Sequence, residues 1–157
     1  MRSVSDRSKR FMVTDSAGNS FINIESSSNS TFNKLYAYDS KGKVLFKIST
    51  TPEVAGRIGY NVVTPTTKFA VVVKLLSGGV SFKIHGLKLY LKGNLLTHTF
   101  EITDISSKVL ALHKPEAGKS GRYTLEVSDD SLCLTALSIA ICADILSFSD
   151  SASYCRA

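Results

Sequence analysis

The residues able to do chemistry are few and scattered. His85, His98 and His113 each stand alone in alternating surroundings, with no cysteine or carboxylate beside them at a ligand spacing. A metal centre needs three or four convergent ligands, so lone strand histidines read as hydrogen-bonding residues at the surface or partly buried. Cys133, Cys142 and Cys155 are odd in number, crowd toward the C-terminal end and lack C-x-x-C spacing, which argues against a disulfide framework and a zinc finger. Cys133 and Cys142 lie in an apolar run and read as buried, reduced thiols. Gly118-Lys119-Ser120 matches only the last part of a phosphate-binding loop, without the leading glycine or a following helix. No G-x-S-x-G or H-E-x-x-H occurs. Asp129 and Asp130, taken with Asp104, supply too few oxygens for calcium, which takes six to eight. The expectation is a protein that is not an enzyme, with no catalytic residue, metal site or cofactor.

What remains is positive charge. Lys68, Lys74, Lys83, Lys88 and Lys92 follow one another with no Asp or Glu between them, in a chain of 157 residues whose formal charge is +6. In alternating strands Lys88 and Lys92 share a parity, and Lys83 can join them from a neighbouring strand. The plain reading is a solvated exterior, where lysine is commonest. The functional reading is a patch for anionic lipid headgroups, worth ~1 kcal/mol for each basic residue near an anionic leaflet. Arg2, Arg7, Lys9 and Arg10 extend it if the N-terminal arm is flexible. A nucleic acid would need aromatics interleaved with lysine on an exposed face. Phe69, Phe82 and Tyr90 are read instead as mostly inward core residues, so no nucleic acid is expected.

The elements that position these residues come from hydrophobic periodicity. With 43% hydrophobic and 20% charged residues, one domain folded around a single core is expected. No secretory signal is visible in the charged, serine-rich N-terminus, so a reducing intracellular compartment is the default. Segments 11–24 and 35–48 align without a gap, and 100–113 is a weaker third copy. Each reaches an aspartate (Asp15, Asp39, Asp104), crosses a short turn and resumes with apolar residues. The aspartate can accept from turn amides while Gly18 or Gly42 takes positive φ, which predicts hairpins. The third copy has Ser107 in the glycine slot, so its turn must differ or carry strain. Period-2 alternation continues over 57–63, 68–76, 80–85, 87–92, 97–104, 108–114 and 122–128, giving about eleven strands and pointing to a barrel or sandwich.

The C-terminal end breaks this pattern. Residues 132–143 are apolar on every face and follow Asp129 and Asp130, which suit a helix N-terminus. Such a helix must be surrounded by protein or lipid. Its apolar run is shorter than the ~20 residues a bilayer needs, and Asp144 ends it. Burial in protein is therefore expected, with the strands wrapped round the helix. Asp144, whose charge opposes the helix dipole, must face the barrel mouth or accept hydrogen bonds from a basic strand residue.

The stretch 81–104, with Gly93-Asn94-Leu95-Leu96-Thr97-His98-Thr99-Phe100-Glu101-Ile102 inside it, resembles the "V-x-G-(N/D)-F/L-x-x-H-x-(Y/F)-E-I" region of the LURP-one-related proteins. The likeness continues through 109–113 and 122–127 into the apolar helix, and the two Asp-Ser-x-Gly hairpins are similar to the family's repeated units. The chain departs from the family in having no tryptophan and a different loop before its last long strand. The resemblance implies a tubby C-terminal-like fold: a single closed antiparallel β-barrel of about eleven or twelve strands enclosing one hydrophobic C-terminal helix. On that reading 1–10 is a basic arm, 11–148 the barrel with its core helix at 130–148, and 149–157 a tail. By analogy with tubby domains and scramblases, it implies a cytoplasmic binding module, peripheral at membranes, with anionic phospholipid or phosphoinositide headgroups as partners and a role in stress or defence signalling. The alternative is a soluble protein-interaction scaffold. A monomer is expected.

Overall fold

The computed structural model describes residues 10–15, 17, 19–27, 34–51, 57–76, 79–95, 97–118, 122–145 and 153–156. Twelve strands run in chain order as β1 (Arg10–Thr14), β2 (Ser20–Ser27), β3 (Lys34–Asp39), β4 (Val44–Thr50), β5 (Arg57–Val63), β6 (Lys68–Leu76), β7 (Gly79–His85), β8 (Tyr90–Asn94), β9 (Thr99–Thr103), β10 (Val109–Pro115), β11 (Arg122–Val127) and β12 (Ser153–Arg156). One helix, α1 (Cys133–Ile145), follows a single 3-10 turn at Asp130–Leu132. The arm at 1–9, Gly18 and the last residues assigned to the helix, 146–148, lie outside the described residues.

Alternation converts directly into burial. Leu35 and Ala37 on β3, Phe46 and Ile48 on β4, and Tyr60 and Val62 on β5 point into one core while their neighbours face outward. Strands β1 to β7 form one antiparallel meander and β8 to β11 another. The sheet order is β7-β6-β5-β4-β3-β2-β1-β12-β11-β10-β9-β8. Two features differ from the expected closed antiparallel ring. Strand β12, within the segment expected as a tail, pairs in parallel with both β1 and β11 and joins the two meanders. At the other side, β7 and β8 lie near one another but share no ladder among the described residues. The result is a strongly curled, mainly antiparallel sheet with one helix packed against its strands.

The three aspartate turns are built alike. Asp15 Oδ1 accepts from the amides of Ala17 and Asn19 at 3.0 and 2.9 Å. Asp39 Oδ1 accepts from Lys41 and Lys43 at 2.9 Å each, and Asp104 Oδ1 from Ser106 and Lys108 at 2.9 and 3.0 Å. Gly42 takes φ 81° and Ser107 takes φ 66° at the same place. The third turn therefore does not change shape. It places a serine in the left-handed region, at a cost of about 1–2 kcal/mol.

Helix α1 begins as its sequence dictates. The Asp129 side chain accepts from the Ser131 amide at 2.9 Å, which caps the entering turn. From Thr135 to Asp144 every residue is buried. Leu137, Ile139 and Ile141 each contribute roughly 1.5–3 kcal/mol by leaving water. Ser138 fits this surrounding because its hydroxyl donates to the Thr135 carbonyl at 2.8 Å. Cys133 and Cys142 are free thiols, as the sequence suggests, although Cys133 is only half-buried. Burial raises both above the ordinary thiol pKa, and at Cys142 the Asp144 charge adds to the rise.

Candidate functional site

Strand register decides which lysines meet. All five, Lys68, Lys74, Lys83, Lys88 and Lys92, are exposed. Lys74 pairs directly with Arg57 on β5. Lys83 pairs with Val72 and is thus diagonal to Lys74 on the same outer face. Directly opposed residues lie about 5 Å apart and diagonal ones about 7–8 Å, so Arg57, Lys74 and Lys83 form a compact cationic triangle. The sequence window of five lysines missed Arg57, because antiparallel pairing brings it in from the preceding strand.

The remaining three lysines are elsewhere. Lys68 is six residues from Lys74 along β6, about 20 Å away. The backbone after β7 lies over it: a Cβ on Gly86 would come within 3.3 Å of the Lys68 carbonyl. Lys88, in the link between β7 and β8, therefore lies toward the Lys68 end of the face. Lys92 pairs with Glu101 on β9 and donates to Ser107 Oγ at 3.0 Å. The sheet thus sets a carboxylate against a lysine that looked uncompensated in sequence. Tyr90 corrects a second expectation, since it shares its parity with Lys92 and is 48% exposed, whereas Phe69 is buried.

The polar centre of the molecule is one that single-residue reading did not assemble. Asp144, in the last turn of α1, is 2% exposed; His113 on β10 is fully buried. His98 Nδ1 stands 3.0 Å from Asp144 Oδ1, and His113 Nε2 stands 3.0 Å from Asp144 Oδ2. His113 Nδ1 in turn lies 2.6 Å from the His98 carbonyl oxygen. A carbonyl can only accept, so Nδ1 of His113 carries a proton. The two contacts to the carboxylate need one proton each. A buried carboxylate that would be costly alone is in this way met by a ring nitrogen at each oxygen.

Aromatic rings enclose this cluster. Phe100 stacks on His113 with centroids 4.3 Å apart, and Tyr123 lies 5.1 Å from His113 and 4.9 Å from His98. Burial, then the Asp144 charge, pushes the Tyr123 phenol above its ordinary pKa. The cluster fastens the helix to β10 and to the return before β9. No group of three or more His, Cys, Asp or Glu placed to hold a metal occurs among the described residues. Of the two settings expected for Asp144, the structure gives the hydrogen-bonded one, with His113 on β10 and His98 in the return before β9 as its partners. The available signal was Asp144 itself, because a carboxylate at the end of an all-apolar helix must find donors.

Backbone geometry explains the spacing from Gly93 to His98. Gly93 has φ 133°, and a Cβ there would come 2.5 Å from the Thr99 carbonyl and 2.6 Å from Phe100 Cα. His98 is itself left-handed, with φ 58°. The tight return from β8 to β9 thus requires glycine at one end and turns the imidazole toward the helix at the other. The family model of the LURP-one-related proteins matches residues 1–144, a span that holds this return and ends on Asp144. The chain belongs to the LURP-one-related family. Neither a curated protein nor a solved structure matches it. For a LURP-one-related chain, the glycine-to-histidine spacing acquires a structural meaning here: it delivers a donor to the buried end of the helix.

Proposed function

We propose that this protein is a non-enzymatic, cytoplasmic, monomeric binding module that docks peripherally on anionic membrane surfaces, phosphoinositide-bearing ones included, through the outer face of β5 to β7. The observation that supports this is the triangle of Arg57, Lys74 and Lys83 on an exposed face. At ~1 kcal/mol per basic residue near an anionic leaflet, three such residues are worth roughly 100-fold in binding. Lys68 and Lys88 extend the face, and Lys92 contributes less because of Glu101.

The curled sheet packed on a helix buried from Thr135 to Asp144 supports a tubby C-terminal-like barrel with the helix as its core. A membrane-inserted helix is disfavoured: α1 has 13 residues, about 20 Å, against ~30 Å of hydrocarbon. No helix among the described residues is long and apolar enough to cross a membrane.

Sedimentation with vesicles tests the reading. The expected outcome is binding to vesicles carrying phosphoinositide but not to neutral ones, weakening as salt rises. Changing Arg57, Lys74 and Lys83 together to glutamate should lower binding roughly 100-fold or more. Unaltered binding by that variant would exclude this face as the docking surface.

A further inference from the structure

Burial along the inner row falls off where the sheet ends. Inward residues of β6 and β9, such as Val71, Val73, Phe100 and Ile102, are buried. Val80, Phe82 and Ile84 on β7, and Leu91 on β8, remain half-exposed. These two strands are the ones with a single ladder each. In an antiparallel pair alternate residues direct their N–H and C=O groups away from the partner, so β7 presents a row that no other described strand pairs, beside an incompletely covered apolar strip.

The two edges differ in charge. The outer row of β7 holds Ser81, Lys83 and His85, next to Lys74 on β6, with no carboxylate paired to any of them. The outer row of β8 already faces Glu101. A lipid chain is a poor occupant of the strip, because it could not hydrogen-bond the N–H and C=O groups of the adjoining β7 edge. A second copy of the chain is also a poor occupant, since edge-to-edge pairing would bring like charges of two β7 strands together. What fits is a strand lying in the surface of the sheet.

We propose that the free edge of β7 is a docking site for an extended segment of a partner protein in which apolar and acidic residues alternate. Its backbone adds to β7, its apolar side chains extend the inner row over Phe82, and its carboxylates lie beside Lys83 and His85. This does not depend on the membrane reading. The test is vesicle-free fluorescence anisotropy with two labelled nine-residue peptides, one alternating valine with glutamate and one alternating valine with lysine, with hydrogen exchange measured on the same samples. The glutamate peptide should bind about threefold to tenfold more tightly and slow exchange at amides of 80–85. Lys83→Glu, a surface change that leaves the core intact, should remove or reverse the preference. Equal binding of both peptides, binding without slowed exchange in β7, or protection of the same amides by self-association without peptide would each overturn the proposal.

Discussion

Asp144 shows how much one residue can organise. Its carboxyl draws in His98 from the return before β9 and His113 from β10, one ring to each oxygen. Removing one member takes from the others a hydrogen bond made at or near the buried end of the helix. Asp144→Ala and His113→Ala are each expected to destabilise the fold by about 3–5 kcal/mol in urea unfolding, and Asp144→Asn by less, since the amide can still donate to one ring and accept from the other. A loss under 1 kcal/mol would show that the cluster does not fasten the helix. Asp104 acts at the surface by the same chemistry. The Ser106 hydroxyl and the amides of Lys108 and Ser106 hold its carboxyl below the ordinary value of 3.8. A depressed folded-state pKa contributes stability that is complete above the unfolded value and is lost as pH falls through the folded one. Asp104→Asn should therefore flatten the acid limb of thermal stability as pH falls through and below the ordinary carboxylate range. An unchanged limb in a pH series of melting temperatures would refute that contribution.

At the scale of elements, the decisive one is the return from β8 to β9. Gly93 has no room for a side chain because the obstructing atoms belong to the backbone of Thr99 and Phe100. Gly93→Ala should cost about 2 kcal/mol or more and, by displacing His98, should speed hydrogen exchange at the C-terminal end of α1. Normal stability with unchanged exchange would mean that the return adapts. Much of this level was legible in the sequence. Period-2 alternation located β1 to β11, although the strand expected at 87–92 lies at Tyr90–Asn94 and β12 was not foreseen, and the all-round apolar run located the helix, because side-chain periodicity is a local property. The three aspartate turns were legible too, down to the strain at Ser107. The cluster around Asp144 was not, since residues 98, 113 and 144 lie on three different elements and nothing local couples them.

At the scale of the whole molecule, β12 joins two meanders that no other described ladder connects. A chain ending at 152 is expected to unfold at lower urea, with exchange accelerated in β1 and β11 more than in β5; uniform acceleration would show that the helix alone couples the halves. The charge distribution also belongs to this scale. Five lysines close in sequence do not form one patch, because Lys68 and Lys74 stand at opposite ends of a strand and Lys92 meets Glu101. Arg57, outside that run, does join it.

The sequence by itself determined what depends on neighbours along the chain: the strand alternation, the aspartate turns, the capped apolar helix and the need of Asp144 for donors. Only the tertiary structure decided which donors those are, which cations share a face, and that β12 runs parallel between β1 and β11 while β7 has a single ladder among the described residues. The physical reason is register. Pairing between distant strands sets which side chains come within 5–8 Å of one another, and register is fixed by the packing of the whole core rather than by any segment within it.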